Sequence, residues 1–136
     1  MAKFNVVGFD DVEKALIARG EAVTPAVDAM LKAGAEVLVE AQKAESKAMG
    51  VYDTGDFHAS IKATPVKEGK EGRYLDVYPQ GKDRKGVRNA TKGFIAEYGK
   101  KNVPARPWMS SANEKCSSKL HEAMRAKWSE VMGDGS

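Results

Sequence analysis

The stretch from Thr24 to Gly50 reads as one long helix, and that helix sets terms for the rest of the chain. Thr24 is a good N-cap, and Pro25 suits the first helical position, where a missing N–H costs nothing. Val27, Met30, Leu31, Gly34, Leu38, Ala41, Ala44 and Ala48 recur at helical spacing on one broad stripe. Lys32, Glu36, Glu40 and Lys43 fall largely off it, and Glu36 with Glu40 makes a mildly repulsive i, i+4 pair. Gly50 supplies the stop. At 1.5 Å per residue, about 24 residues make a rod of ~36 Å. Such a rod needs a sheet or another helix along most of its length, and Val37 and Val39 widen the apolar arc enough to predict cover on two sides.

The partners for that rod lie downstream. Ile61 to Val66 and Tyr74 to Tyr78 read as two strands joined by the polar, glycine-containing EGKEG. In the second strand Leu75 and Val77 point one way, and Tyr74, Asp76 and Tyr78 the other. Pro65 in the first strand predicts an edge position or a bulge. Ser111 to Met132 reads as a closing helix with Ala112, Cys116, Leu120, Ala123, Met124, Trp128 and Val131 on its apolar face. Before it, Ser111 and Glu114 have capping-box spacing, which starts the helix near Ser110 or Ser111. Phe57 and Ile61, four apart after the turn-rich Asp53-Thr54-Gly55-Asp56, both point inward. Upstream of the long helix, residues 1–8 read as an edge strand or arm. Phe9 to Arg19 reads as a short helix stopped by Gly20. The expected fold is α+β: a small antiparallel sheet packed by the long N-terminal helix and a C-terminal helix. With 136 residues, one domain is expected, with residues 1–23 as arm and short helix and 133–136 as a frayed tail.

Several function classes are disfavoured. No apolar run approaches the ~20 residues that span a bilayer, and the N-terminus lacks the apolar core of a signal peptide, so a cytoplasmic site of synthesis is expected. A single cysteine, Cys116, rules out an internal disulfide and reads as a buried small hydrophobe rather than a reactive thiol. His58 stands near Asp53 and Asp56, but one histidine and two turn carboxylates fall short of a metal site. His121 is five residues from Cys116, an offset that keeps the side chains apart on a helix. No phosphate-cradling glycine loop and no nucleophile motif occurs. The expectation is a protein without catalysis, metal or cofactor.

What remains is a partner-binding surface. Net charge is only +3, but its distribution is uneven. Between Lys82 and Arg106 stand Lys82, Arg84, Lys85, Arg88, Lys92, Lys100, Lys101 and Arg106 against Asp83 and Glu97. That gives 8 − 2 = +6, which leaves −3 elsewhere. A local excess of this kind marks a surface that meets something acidic, or a solvated loop. Pro79 to Lys92 reads as mobile until a partner orders it. The chain then runs through Phe94, Ile95 and Tyr98, spaced for one side of a short helix that Asn89 caps and Gly99 stops. Phe94, Ala96 and Tyr98 also alternate as in a strand. Lys100 to Val103 is a polar loop, and Pro104 and Pro107 hold an extended arm that ends on Trp108. The candidate interface is therefore Lys82, Arg84, Lys85, Arg88, Tyr98, Lys100, Lys101, Pro104, Arg106, Pro107 and Trp108, with Trp108 also readable as an ordinary core anchor.

Two motifs carry a resemblance. TGDFHASI, Thr54 to Ile61, resembles the TG-x-L-x-x-SI signature of a family of small bacteriophage proteins. EYG at Glu97 to Gly99, followed by PARPWMSSA at Pro104 to Ala112, resembles that family's E-F-G-T … P-A-x-P-F-x-x-P-A block. The family is the gene-product-ten-like tail-component family of long-tailed phages. The likeness covers roughly Thr24 to Val131, with Phe57, Lys100, Trp108 and Ser111 standing where the pattern has leucine, threonine, phenylalanine and proline. The resemblance implies a virion structural protein of the head–tail junction: a tail-terminator or tail-completion protein whose copies form a ring, typically six-fold, on the tail tube. Its implied partners are itself, the tail tube protein and the head connector or head-closure protein, with a passing contact to DNA and none to membrane. A head-closure or adaptor protein of the neck is the nearest alternative. A small nucleic-acid-binding protein using residues 82–101 is the alternative from another class.

Overall fold

The computed structural model describes residues 2–5, 23–51 and 55–133. The short helix expected at Phe9–Arg19, the Asp53–Thr54 part of the turn and the last three residues lie outside them. The elements run β1 (Ala2–Asn5), α1 (Val23–Ala48), α2 (Gly55–Ser60), β2 (Ile61–Ala63), β3 (Lys67–Gly69), β4 (Gly72–Pro79), α3 (Asn89–Tyr98) and α4 (Trp108–Met132). The fold is α+β, as the sequence predicts.

β4 is the central strand. β1 pairs with it antiparallel on one side, Phe4 opposite Leu75, and β2 and β3 pair with it on the other. Ala63 opposes Val77 and Lys67 opposes Tyr74, so four steps on the edge strand face three on β4. One extra residue is therefore bulged out at 64–66, where Pro65 has no N–H to give a ladder. Thr64 closes the bulge: its N–H reaches Asp76 O at 2.8 Å, and its Oγ1 accepts from Asp76 N at 2.9 Å. Leu75, Val77 and Pro79 turn inward with Ile61, while Tyr74, Asp76 and Tyr78 take the other face, half-buried.

α1 lies between the sheet and α4. Val27, Met30, Leu31, Gly34 and Leu38 are buried, as the stripe predicts, and so is Ala35, which the stripe leaves out. In its last two turns the stripe fails. Ala44 and Ala48 are exposed, and the buried positions are Gln42, Glu45 and Ser46. Each of these three polar side chains has at least one partner, which lowers the cost of burying it, although Gln42 Oε1 has none among the described residues. Gln42 Nε2 donates to Val77 O on β4. Glu45 Oε1 accepts from Ser111 Oγ at 2.8 Å and Lys115 Nζ at 2.9 Å on α4, and the Lys115 hydrogen bond, then that of Ser111, holds its carboxyl below the ordinary range. Ser46 Oγ donates to Lys43 O and lies 2.8 Å from His58 Nδ1. Arg73 clamps the other end of α1 to β4 by donating to both oxygens of Asp28.

Candidate functional site

α3 is amphipathic the wrong way round. A short surface helix normally turns its apolar stripe inward. Here the buried residues are Asn89, Gly93, Ala96 and Glu97, while Phe94 and Ile95 are only half-buried and Tyr98 is 70% exposed. Close packing explains this. A Cβ on Gly93 would stand 3.2 Å from Pro79 Cγ and 3.2 Å from Trp108 Cζ2, so only a small residue lets α3 lie this near β4 and the start of α4. The large side chains are left outside. Phe94 and Tyr98 stack on each other there, centroids 6.0 Å apart and planes 12° from parallel.

α3 ends at Gly99, whose N–H bonds Ile95 O. It does not begin as predicted. Asn89 is not a side-chain cap; it is buried and its Nδ2 donates to Gln80 O at 2.9 Å, tying the helix start to the end of β4. The Ser111–Glu114 capping box does not form either. α4 begins at Trp108, and its first turn is closed by Glu97, whose Oε1 accepts from both Ser110 N and Ser110 Oγ at 2.8 Å. A buried carboxylate at a helix N-terminus satisfies a free N–H and complements the helix dipole. The glutamate of EYG thus links the end of α3 to the start of α4.

Trp108 is a core residue. It is 0% exposed, its ring meets Phe57 edge-on at 5.8 Å, and its Nε1–H donates to Gly93 O at 3.1 Å. As a surface contact it is corrected to an anchor beneath the arm. Arg106 has a local use too: Nη1 donates at 2.8 Å to Gly50 O, at the carbonyl end of α1. Pro104 and Pro107 are exposed, the latter at the N-cap of α4. Lys100 to Val103 is a tight turn with reciprocal backbone bonds, and Asn102 sits at φ 66. Lys101 and Asn102 form its tip, three and four residues after Tyr98.

The basic stretch is two patches rather than one. Lys82, Arg84, Lys85 and Arg88 precede α3; Lys100 and Lys101 follow it, and ten residues of helix put ~15 Å between the groups. Nor is the first patch a structureless loop. Asp83 organises it: Oδ1 accepts from Lys85 N at 2.8 Å and Val87 N at 2.9 Å, Oδ2 pairs with Lys92, and Lys82 bridges Arg88 through the backbone. Arg84 pairs with Asp56 at 2.8 Å in solvent, a contact of small energetic value. Among the described residues, Lys82, Lys85, Arg88, Lys100 and Lys101 have no carboxylate within ion-pair distance.

The Lys92 hydrogen bond, followed by that of Val87 N, pulls the Asp83 carboxyl from its ordinary 3.8 to about 2. A depressed carboxyl stabilises the folded loop above its unfolded value and loses that effect on acidification. Protection of the Lys85 and Val87 amides, taken relative to their intrinsic exchange rate at each pH, is therefore expected to hold above pH 3.8, to fall as pH drops from there, and to lose the Asp83 contribution below about 2. Unchanged protection across that window would show that Asp83 does not hold the loop.

His58 and Asp56 do not converge: His58 faces Ser46 and Asp56 faces Arg84. Cys116 is buried, which pushes its thiol up. Among the described residues, no cluster of three histidine, cysteine or acidic side chains is placed to hold a metal ion, and no helix is long and apolar enough to cross a membrane.

No family model, curated protein or solved structure matches this chain.

The sequence singled out Tyr98 but not its pairing with Phe94, nor the role of Glu97. A signal for the first was present. Gly93, Ala96 and Glu97 share one face of the helix, and Phe94 and Tyr98 share another. A glycine and an alanine on the first face allow a closer approach than the aromatics do.

Proposed function

We infer that this protein is a structural subunit of a phage virion at the head–tail junction, a tail terminator whose copies close into a hexameric ring on the tail tube and meet the head connector. One observation carries the reading: α3 keeps its small residues for the core and leaves Tyr98 exposed, stacked on a half-buried Phe94, between two basic elements ordered by backbone bridges. Exposed aromatics on a preordered backbone are the usual anchors of protein–protein contacts. A ring needs each subunit to present such an anchor to its neighbour. The motif resemblance of Thr54–Ile61 and Glu97–Ala112 points to the same class, and the structural roles of Glu97, Gly99 and Trp108 give those motif positions a physical reason. The unneutralised Lys82, Lys85 and Arg88 suit a passing contact with DNA in the lumen.

The test is the mass of the purified protein in solution, alone and then with tail tubes that lack their terminator. The expected result is a ring, alone or on tube ends. A monomer that ignores tubes and binds duplex DNA, with log affinity falling by about 0.9 per phosphate contact against log salt, would replace this reading with nucleic-acid binding through residues 82–101.

A further inference from the structure

Two surfaces of this chain carry unbalanced charge beside apolar side chains, and their signs are opposite. The first is the Phe94–Tyr98 stack, with Lys100 and Lys101 on the turn that follows. The second lies on the middle of α1. Glu36 and Glu40 are both exposed, stand one turn apart, and repel each other. Among the described residues no cation lies within ion-pair distance of either. They rim a groove of about 510 Å³ between α1 and the sheet, with Ala35, Val39 and Leu75 among its apolar lining residues. That volume falls within the ~300–1,000 Å³ of pockets that bury a compact ligand. Lys32 at one end leaves the rim net negative. The neighbouring groove between α1 and α4 shares Lys32 and Glu36, which offset each other, and its other carboxylates are paired: Arg73 holds Asp28, and Lys127 holds Glu130.

We propose that the Glu36–Glu40 groove of one copy receives the Phe94–Tyr98 knob of the next, with Lys100 and Lys101 settling against Glu36 and Glu40. The proposal rests on the ring reading above and names the receiving surface, which that reading leaves open. Charge complementarity selects the pairing. Two lysines beside an aromatic knob match two carboxylates beside an apolar groove, all four without an ion-pair partner among the described residues, whereas the other unpaired cations, Lys82, Lys85 and Arg88, have no such knob beside them. The surfaces share no residue, so the contact is heterologous and repeats head to tail until it closes. They are also far enough apart to work together. Val103 and Pro104, which follow the knob in sequence, line one cleft with Gly50 just past α1, and ten residues separate Gly50 from Glu40, or ~15 Å if counted along the helix. One copy can give its knob and accept another at once.

Two triple- or double-site variants test this. The knob variant carries Tyr98→Ser, Lys100→Ser and Lys101→Ser; the groove variant carries Glu36→Lys and Glu40→Lys. Every changed side chain is exposed, so circular-dichroism melts should match wild type. Each variant alone should lose the assembly that wild type makes, in solution or on tube ends, with association weakened roughly thirtyfold or more, as for loss of an interface anchor. Mixed one to one, they should give a heterodimer and nothing larger by native mass spectrometry, because only one knob and one groove remain. A groove variant that still forms rings, or a mixture without heterodimer, overturns the pairing and leaves the ring reading standing. A wild type that stays monomeric alone and on tubes overturns both.

Discussion

Trp108→Ala should cost about 3–5 kcal/mol of folding stability, the usual range for truncating a large aromatic in a core. The ring is fully buried and meets Phe57 edge-on, and the wall on its other side is Gly93, which has no side chain to swing into the space. The cavity would stay open. Gly93 O would also lose the indole N–H that reaches it at 3.1 Å. Against a total of ~5–15 kcal/mol for a domain, that is a large share. The readout is a denaturant titration: a lower midpoint with an unchanged slope. Trp108→Phe keeps most of the ring and drops the hydrogen bond, and should cost distinctly less. The same pair of variants separates core from contact. If Trp108 is an anchor beneath the arm, Trp108→Phe assembles like wild type, and any assembly lost in Trp108→Ala tracks its unfolding. A loss below about 1 kcal/mol in Trp108→Ala would mean the site collapses without it, which the packing against Gly93 argues against.

Trp108 also shows where sequence reading succeeds and where it stops. The long helix, the hairpin, the edge strand at the N-terminus, the bulge at Pro65 and the stop at Gly99 were legible because each follows from local chemistry: a periodicity, a missing N–H, a positive φ. The misassignments in α1 and at the start of α4 involve a polar group whose partner is distant in sequence. Gln42, Glu45 and Ser46 occupy buried positions of α1 because Val77, Ser111 and His58 supply hydrogen bonds from other elements. Spacing alone gave those positions to Ala44 and Ala48. Likewise the cap of α4 comes from Glu97, thirteen residues before Ser110, so a rule that looks three residues ahead finds Ser111 and Glu114 instead. The basic stretch misled for a different, local reason. Asp83 is one acid among many cations in the composition, yet three of its contacts set the conformation of the whole loop. The exposed aromatic pair was half legible: Tyr98 is visible in the sequence, but its exposure depends on how close Gly93 lets α3 approach.

Gly99→Ala is expected to abolish assembly without changing the identity of any proposed contact side chain. Gly99 sits at φ 76 and ψ 176, a region that essentially only glycine occupies at low cost. A Cβ there would also stand 2.8 Å from Val103 O and 2.9 Å from Ala105 N. Both are backbone atoms of the arm and cannot rotate away, so either the helix end or the arm must move. Strain of ~1–3 kcal/mol and overpacking of similar size add to roughly 2–6 kcal/mol. Part of that is relieved if the arm lifts, which breaks the reciprocal Lys100–Val103 turn and the bond from Arg106 N to Ala96 O. Lys100 and Lys101 would then no longer be held in that turn. Gly86→Ala is the control. Gly86 is also at positive φ, 81, but nothing lies within 4 Å of its Cβ position, so only the conformational cost applies. Gly86→Ala should lose about 1 kcal/mol in a urea titration, the cost of a residue forced into the left-handed region, and still form rings. If the two variants lose stability equally and both assemble, the arm is not fixed by its contact with Gly99, and the rigid presentation of the knob is wrong. If Gly99→Ala alone loses rings at temperatures where it remains folded, the glycine of EYG acts on assembly through the position of the turn, since it has no side chain of its own to touch a neighbour.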